Sequence, residues 1–259
     1  MMKKLIIALQ LCLLMSTTAF GWGGKGHAIV TSIAQENLNK KAAKKVAELL
    51  DNHSMVYYAS WMDEIRSMPE FKHTSPWHYA NVDEGYTYQT MSKEPAGDVV
   101  TATIDLINQL KSGNLSDSVE KVYFKMLIHT IADMHCPMHA GRKTDIGGNK
   151  YPIKWFGQPT SLHALWDTAI IESSRPWSYT EWADNLDILS KAEKQKLAEG
   201  TPVIWFMETV DNASKIYNGT PENGDFSYDY IAEFGPILEI QLYKGGIRLA
   251  NVINEIYGK

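Results

Sequence analysis

The stretch VEKVYFKMLIHTIADMHCPMH, residues 119–139, constrains the fold more than any other part of the chain. Met126, Leu127, Ile128, Ile131, Ala132 and Met134 give a helix here apolar residues on nearly every side, and such a helix has to be buried by others. Yet His129 and Asp133 lie within the same run. Four residues apart, they share one helix face, with Cβ atoms about 5–6 Å from each other. A buried imidazole or carboxylate is costly unless it is paired or bound to a cation. The helix is expected to stop near Pro137, because proline disfavours the helical conformation in the residue before it. His139 then lies past the break and can turn toward a different neighbour.

The same spacing returns at His163 and Asp167, in HALWD. A single H-x-x-x-D is equally well an ion pair on a helix surface. Two copies, with His139 just after the first, point instead to a donor set for a borderline-soft divalent ion such as zinc. Upstream, ASWMDEIR places Asp63 and Arg66 one turn apart, and SPWHYANV supplies His78. His53 and His73 have no ligand spacing and are expected in solvated loops. His135 is expected behind the ligands or on the surface, and Cys136 as a small buried thiol. The tryptophans Trp61, Trp77, Trp155 and Trp166 are expected in the core, with Trp155 also a candidate to line the cleft.

The remaining pattern is helical. GHAIVTSIAQENL has apolar residues at helical spacing, and NKKAAKKVAELL follows, with Asn39 as its cap and a solvated lysine face. Stretches 179–199, 201–217 and 228–257 read as further helices. The main β signal is GGNKYPIKWFGQPTSLH, where glycines bracket an alternating aromatic segment, expected as a hairpin. The fold class is therefore mainly α, a single helical domain with a small β-hairpin.

Residues 1–21 read as a secretory signal peptide: Lys3 and Lys4, an apolar run from Leu5 to Met15, then small residues up to Gly21. The run is shorter than the roughly 20 residues a membrane span needs. Cleavage after Gly21 would make Trp22 the amino terminus of a 238-residue domain, exported to the periplasm or medium, with no membrane insertion afterwards. Its formal charge would move from −5 to −7, because two lysines leave and no acidic residue does. An acidic chain does not grip long nucleic acid through a basic face, so an anionic substrate needs a local positive centre. Of the two cysteines only Cys136 would remain, which excludes an internal disulfide. Bound metal is the alternative source of stability. N-x-S/T sequons stand at Asn52, Asn114, Asn212 and Asn218.

Taken in order, W-G-x-x-G-H, S-W-x-D-E-x-R, H-Y, H-x-x-x-D-M-x-x-P-x-H, G-G-N-K and L-H-x-x-W-D resemble the S1/P1 nuclease family, over Trp22 to Asp167. These are secreted, single-strand-preferring nucleases with three zinc ions. The resemblance implies a first zinc on Asp63, His78, His129 and Asp133. It implies a second on His139, His163 and Asp167, and a third on the Trp22 amine and carbonyl, His27 and a bridging Asp133. It further implies a metal-activated hydroxide that cuts single-stranded DNA and RNA to 5′-phosphates, with 3′-nucleotidase activity as a companion. Asp63 and Arg66 would take the catalytic positions. Tyr79 would stack on a base, and Asn81 would stand where fungal members carry an aspartate toward the base edge. The missing disulfides make the chain resemble bacterial members.

Two other readings are compatible with the same donors. A zinc-dependent phospholipase C shares the helical scaffold and the tryptophan terminus, but its last ligand pair resembles H-x-x-x-E, where this chain has His163 and Asp167. A non-catalytic zinc-binding protein would have no use for Arg66 or Tyr79.

Overall fold

The computed structural model describes residues 22–259, so the expected signal segment lies outside the described residues. Helix α1 (Gly24–Glu36) follows directly on Trp22, and α2 (Lys40–Leu49) begins at Asn39, whose side chain accepts from the Lys41 and Ala42 amides. Short α3 (Trp61–Ile65) leads into a 3₁₀ segment, Lys72–His78. Helix α4 (Val99–Ser112) has a two-way cap: Asp98 accepts from the Thr101 amide while the Thr101 hydroxyl meets the Asp98 amide. Helix α5 (Asp117–Met134) is buried without interruption from Met126 to Met134 and is packed by α1, α3, α4 and α11. It ends where proline requires: His135 caps it, and Pro137–Ala140 continues as a 3₁₀ turn.

Strands β1 (Pro152–Trp155) and β2 (Gln158–Ser161) form the expected hairpin, with Trp155 opposite Gln158. Its two-residue loop, Phe156–Gly157, has positive φ at both positions, 49° and 75°. That is the type I′ geometry matching strand twist. Helix α6 (Leu162–Ala164) runs through a π turn at Leu165–Ala169 into α7 (Ile170–Ser174). Such π turns occur often at functional sites, and this one follows His163 and carries Asp167.

The stretch 179–199 is two helices rather than one. Helix α8 (Tyr179–Leu186) and α9 (Lys191–Ala198) each start with a Ser/Glu capping box, at Ser178/Glu181 and Ser190/Glu193. The second box draws the Ser190 backbone out of the helical path, and its side-chain bonds replace the lost ladder. Helix α10 (Pro202–Gly219) follows, with proline in its first turn. Strand β3 (Asp225–Phe226) adds to β1 in parallel, giving the order β2-β1-β3. Helix α11 (Tyr228–Tyr257) closes the fold, lying along α1 and α5. Gly246 permits the approach to α1, since a Cβ there would lie 2.6 Å from Ile33.

Candidate metal centre

The donors come from five places in the fold: α1, α3, the 3₁₀ segment before Tyr79, α5 with its 3₁₀ continuation, and α6 with the π turn that follows it. Asp133 is the hub, fully buried. Its Oδ1 lies 3.2 Å from His27 Nε2, and its Oδ2 lies 3.0 Å from His78 Nδ1 and 3.1 Å from His129 Nε2. Asp63 faces the same imidazoles, 3.6 Å from His78 Nδ1 and 3.7 Å from His129 Nε2. The His27 and His129 rings are stacked, centroids 4.0 Å apart. On the far side of Asp133, His163 Nε2 is 3.0 Å and His139 Nε2 3.9 Å from the Asp167 carboxylate. All but Asp63 of these residues are buried.

Backbone carbonyls orient three of the rings. His129 Nδ1 donates to Ala59 O at 2.9 Å, His139 Nδ1 to His78 O at 2.5 Å, and His163 Nδ1 to Gly147 O at 2.6 Å. A carbonyl only accepts, so the Nδ1 proton is fixed and Nε2 is left to face the carboxylates. Metal-binding histidines are typically held this way. Several buried atoms, some of them within about 3 Å of a carboxylate or imidazole, make no well-directed hydrogen bond: both nitrogens of His27, Nε2 of His78 and His163, and Oδ1 of Asp63 and Asp133. Leaving so many polar atoms unpaired costs folding energy. Divalent cations would satisfy them together, and the oxygen and nitrogen donors suit zinc. Among the described residues, three groups have donor atoms close enough to share an ion: His27/His129/Asp133, Asp63/His78/His129 and Cys136/His139/Asp167.

Without a cation the imidazoles around Asp133 differ in how readily they take a proton. Burial works against a charged His129, but Asp133 and Asp63 outweigh it and push its pKa up to about 9. Burial also works against the Asp133 carboxylate, but His129 and His139 hold it well below the usual range. His27 and His78 are pulled down by burial and by the charge on His129, so they stay neutral.

The glycines of the two motifs have steric reasons. Gly147 has φ +61°, and a Cβ on it would lie 2.5 Å from Met138 O, 3.0 Å from Asn81 Oδ1 and 3.4 Å from His163 Nδ1. Only glycine lets this carbonyl reach His163. At Gly23 a Cβ would lie 2.4 Å from the Thr168 hydroxyl, and its amide donates to Asp167 O at 2.7 Å. The chain beside buried Trp22 is thereby tied to the π turn.

Tyr79 is 38% exposed and lines a pocket with Asn81, Ser92, Glu94, Lys143 and Ile146. Arg66 caps the end of α3, part-buried, one turn after Asp63. His135 is not on the surface but fully buried; its Nε2 accepts from Arg248 at 3.1 Å and its Nδ1 donates to Ile131 O at 2.7 Å. Arginine only donates, so the ring is neutral, and burial beside that charge lowers its pKa to about 3. Trp155 is 8% exposed with its indole N–H on Ser173, and it belongs to the core. Cys136 is buried as expected. Its thiol donates to Asp167 Oδ1 at 3.5 Å, a contact that spacing alone does not reveal.

The profile described as S1/P1 Nuclease matches residues 22–258. The chain belongs to the S1/P1 nuclease family. Endonuclease 2 of Arabidopsis thaliana is 29% identical to it, over 92% of this chain and 91% of the relative. Nuclease P1 of Penicillium citrinum is 25% identical over 92% and 98% of the two chains, and Nuclease S1 of Aspergillus oryzae 24% over 96% of each. Family membership makes the protein a nuclease, a hydrolase acting on phosphodiester bonds. That membership also decides against the phospholipase reading. No described helix is long and apolar enough to cross a membrane.

Proposed function

We propose that this is an exported, zinc-dependent endonuclease that hydrolyses single-stranded DNA and RNA to 5′-phosphate products and also removes 3′-phosphates from nucleotides. The observation that carries the metal dependence is the arrangement around Asp133, where four imidazoles converge and carbonyls aim Nε2 of His129 at Asp133 and Nε2 of His139 toward Asp167. Asp63, His78, His129 and Asp133 would hold one ion, and His139, His163 and Asp167 a second. His27, Asp133 and the amine and carbonyl of Trp22 would hold a third. Bound zinc would supply a nucleophilic hydroxide at neutral pH and Lewis-acid stabilisation of the phosphoryl and leaving oxygens. Three divalent charges against three carboxylates also leave a local positive excess in an acidic protein, and that excess attracts a phosphodiester.

The residues have separable roles. Asp63, at the mouth of the cluster, orients the attacking water and accepts its hydrogen bond. Arg66 donates to the phosphoryl oxygens as charge builds on them, a fork geometry that suits phosphate. Tyr79 stacks on the base, which any base satisfies, and Asn81 offers both donor and acceptor to its edge. Cleavage of the signal peptide after Gly21 would create the Trp22 amine. The family match, opening at residue 22, and the burial of Trp22 agree with that terminus.

The test is metal analysis coupled to a nuclease assay on the chain starting at Trp22. About three zinc ions per chain and loss of cleavage with chelator are expected. A chain extended by a few residues before Trp22 should bind one ion fewer. At most one metal in the Trp22 form would sink the trinuclear reading, and equal metal in both forms would remove Trp22 from the ligand set.

A further inference from the structure

A line of ring contacts runs over the surface beside the donor cluster and takes no part in it. His53 and Tyr57 stack face to face, with centroids 4.2 Å apart at 17°, and Tyr57 meets Tyr58 edge-on at 4.9 Å. Trp61 meets Phe71 at 5.8 Å. Lys125 joins the two halves, its Nζ 4.0 Å from the Tyr58 ring centre and 5.1 Å from that of Trp61. Tyr57 is 65% exposed, His53 is exposed, and Tyr58, Trp61 and Phe71 are part-buried.

The fold ties this strip to the cluster. Lys121, Lys125, His129 and Asp133 follow at four-residue steps on α5 and so share one face. By helix rise, Lys125 stands about 6 Å and Lys121 about 12 Å along the axis from His129. Ala59, whose carbonyl orients His129, lies between Tyr58 and Trp61, and Trp61 opens the helix that carries Asp63. Lys121 is paired with Asp51, whereas Lys125 makes no ion pair among the described residues and lies over the rings.

We propose that this strip is a track for single-stranded nucleic acid outside the cleavage site, an inference that rests on the nuclease reading above. Unpaired bases stack on exposed rings whatever their identity, while a duplex keeps its base faces hidden. The ammonium of Lys125 meets the phosphates beside those bases, a local attraction in an acidic chain. A dinucleotide seated at Asp63 and Asp133 covers at most the near end of the strip, about one helical turn away at Lys125, whereas a long strand continues over Tyr57.

The experiment compares a dinucleotide with a long single-stranded oligonucleotide, using the metal-loaded enzyme and its Tyr57→Ser, Lys125→Gln and double variants. Stacking and one phosphate contact together predict a rise in KM for the long strand on the order of tenfold in the double variant. Its kcat on that strand should not change, and KM for the dinucleotide should rise far less than for the long strand. Lys125→Gln should also flatten the salt dependence of KM for the long strand. Tyr57→Trp, which keeps a ring, should match the unaltered enzyme. An unmoved KM on the long strand, or an equal rise on the dinucleotide, overturns the track. Failure of the unaltered enzyme to cleave either substrate would remove the nuclease reading itself, and the track with it.

Discussion

Replacing Asp133 with asparagine keeps shape and removes one charge, at the point where His27, His78, His129 and His139 all come within 3.6 Å. In the metal-free protein the effect follows from His129. Its pKa is about 9 when folded, against an ordinary 6.5, and Asp133 is the leading cause of the rise. A raised histidine pKa adds stability that is complete below pH 6.5 and is lost as pH climbs through 9. At pH 7 that contribution is about 2–3 kcal/mol. The depressed pKa of Asp133 is largely the other half of the same interaction. For a domain of this size the loss corresponds to a fall in Tm of about 5–10 °C. Thermal melts with chelator, comparing native protein and Asp133→Asn at pH 7 and above pH 9, measure it. The gap should be wide at pH 7 and close at the higher value. Equal melting at pH 7, or a gap that ignores pH, would refute the assigned proton. With zinc supplied, Asp133→Asn should lose more metal than His27→Ala; equal losses would contradict the bridging role.

Two further outcomes follow from contacts near Asp167. Gly147→Ala puts a methyl group 2.5 Å from Met138 O at positive φ, which costs about 1–3 kcal/mol of strain and moves the carbonyl that orients His163. Reduced Tm and reduced zinc content are expected together, and unchanged zinc content would show that the loop yields without disturbing His163. Burial, and then the charge of Asp167, raise the Cys136 thiol pKa, so the folded protein should resist alkylation at neutral pH while the unfolded chain reacts. Mass spectrometry after iodoacetamide treatment checks this, and rapid labelling of native protein would refute it.

Local chemistry is what the sequence announces well. The end of α5 before Pro137, the Asn39 cap, the hairpin around Phe156–Gly157 and the two H-x-x-x-D pairs depend on residues a few positions apart, and periodicity and proline sterics act at that range. The break at Asp187 was hidden because helix propensity runs through it, while the Ser190/Glu193 box acts only once the chain turns. Strand β3 is two residues long and carries no pattern of its own; it exists because β1 offers it an edge.

The donor types, their spacing and the burial of the helix that bears His129 and Asp133 were thus determined by sequence alone. Tertiary structure decided which carboxylate is the hub, which carbonyl fixes each imidazole, and that His135 faces Arg248 instead of the cluster. It also brought the Cys136 thiol to Asp167, from 31 residues away in sequence. The physical reason is range. Helix spacing positions atoms within one turn, but Ala59 and His129, His78 and Asp133, and Gly147 and His163 meet only when separate elements pack, and packing depends on the whole core at once.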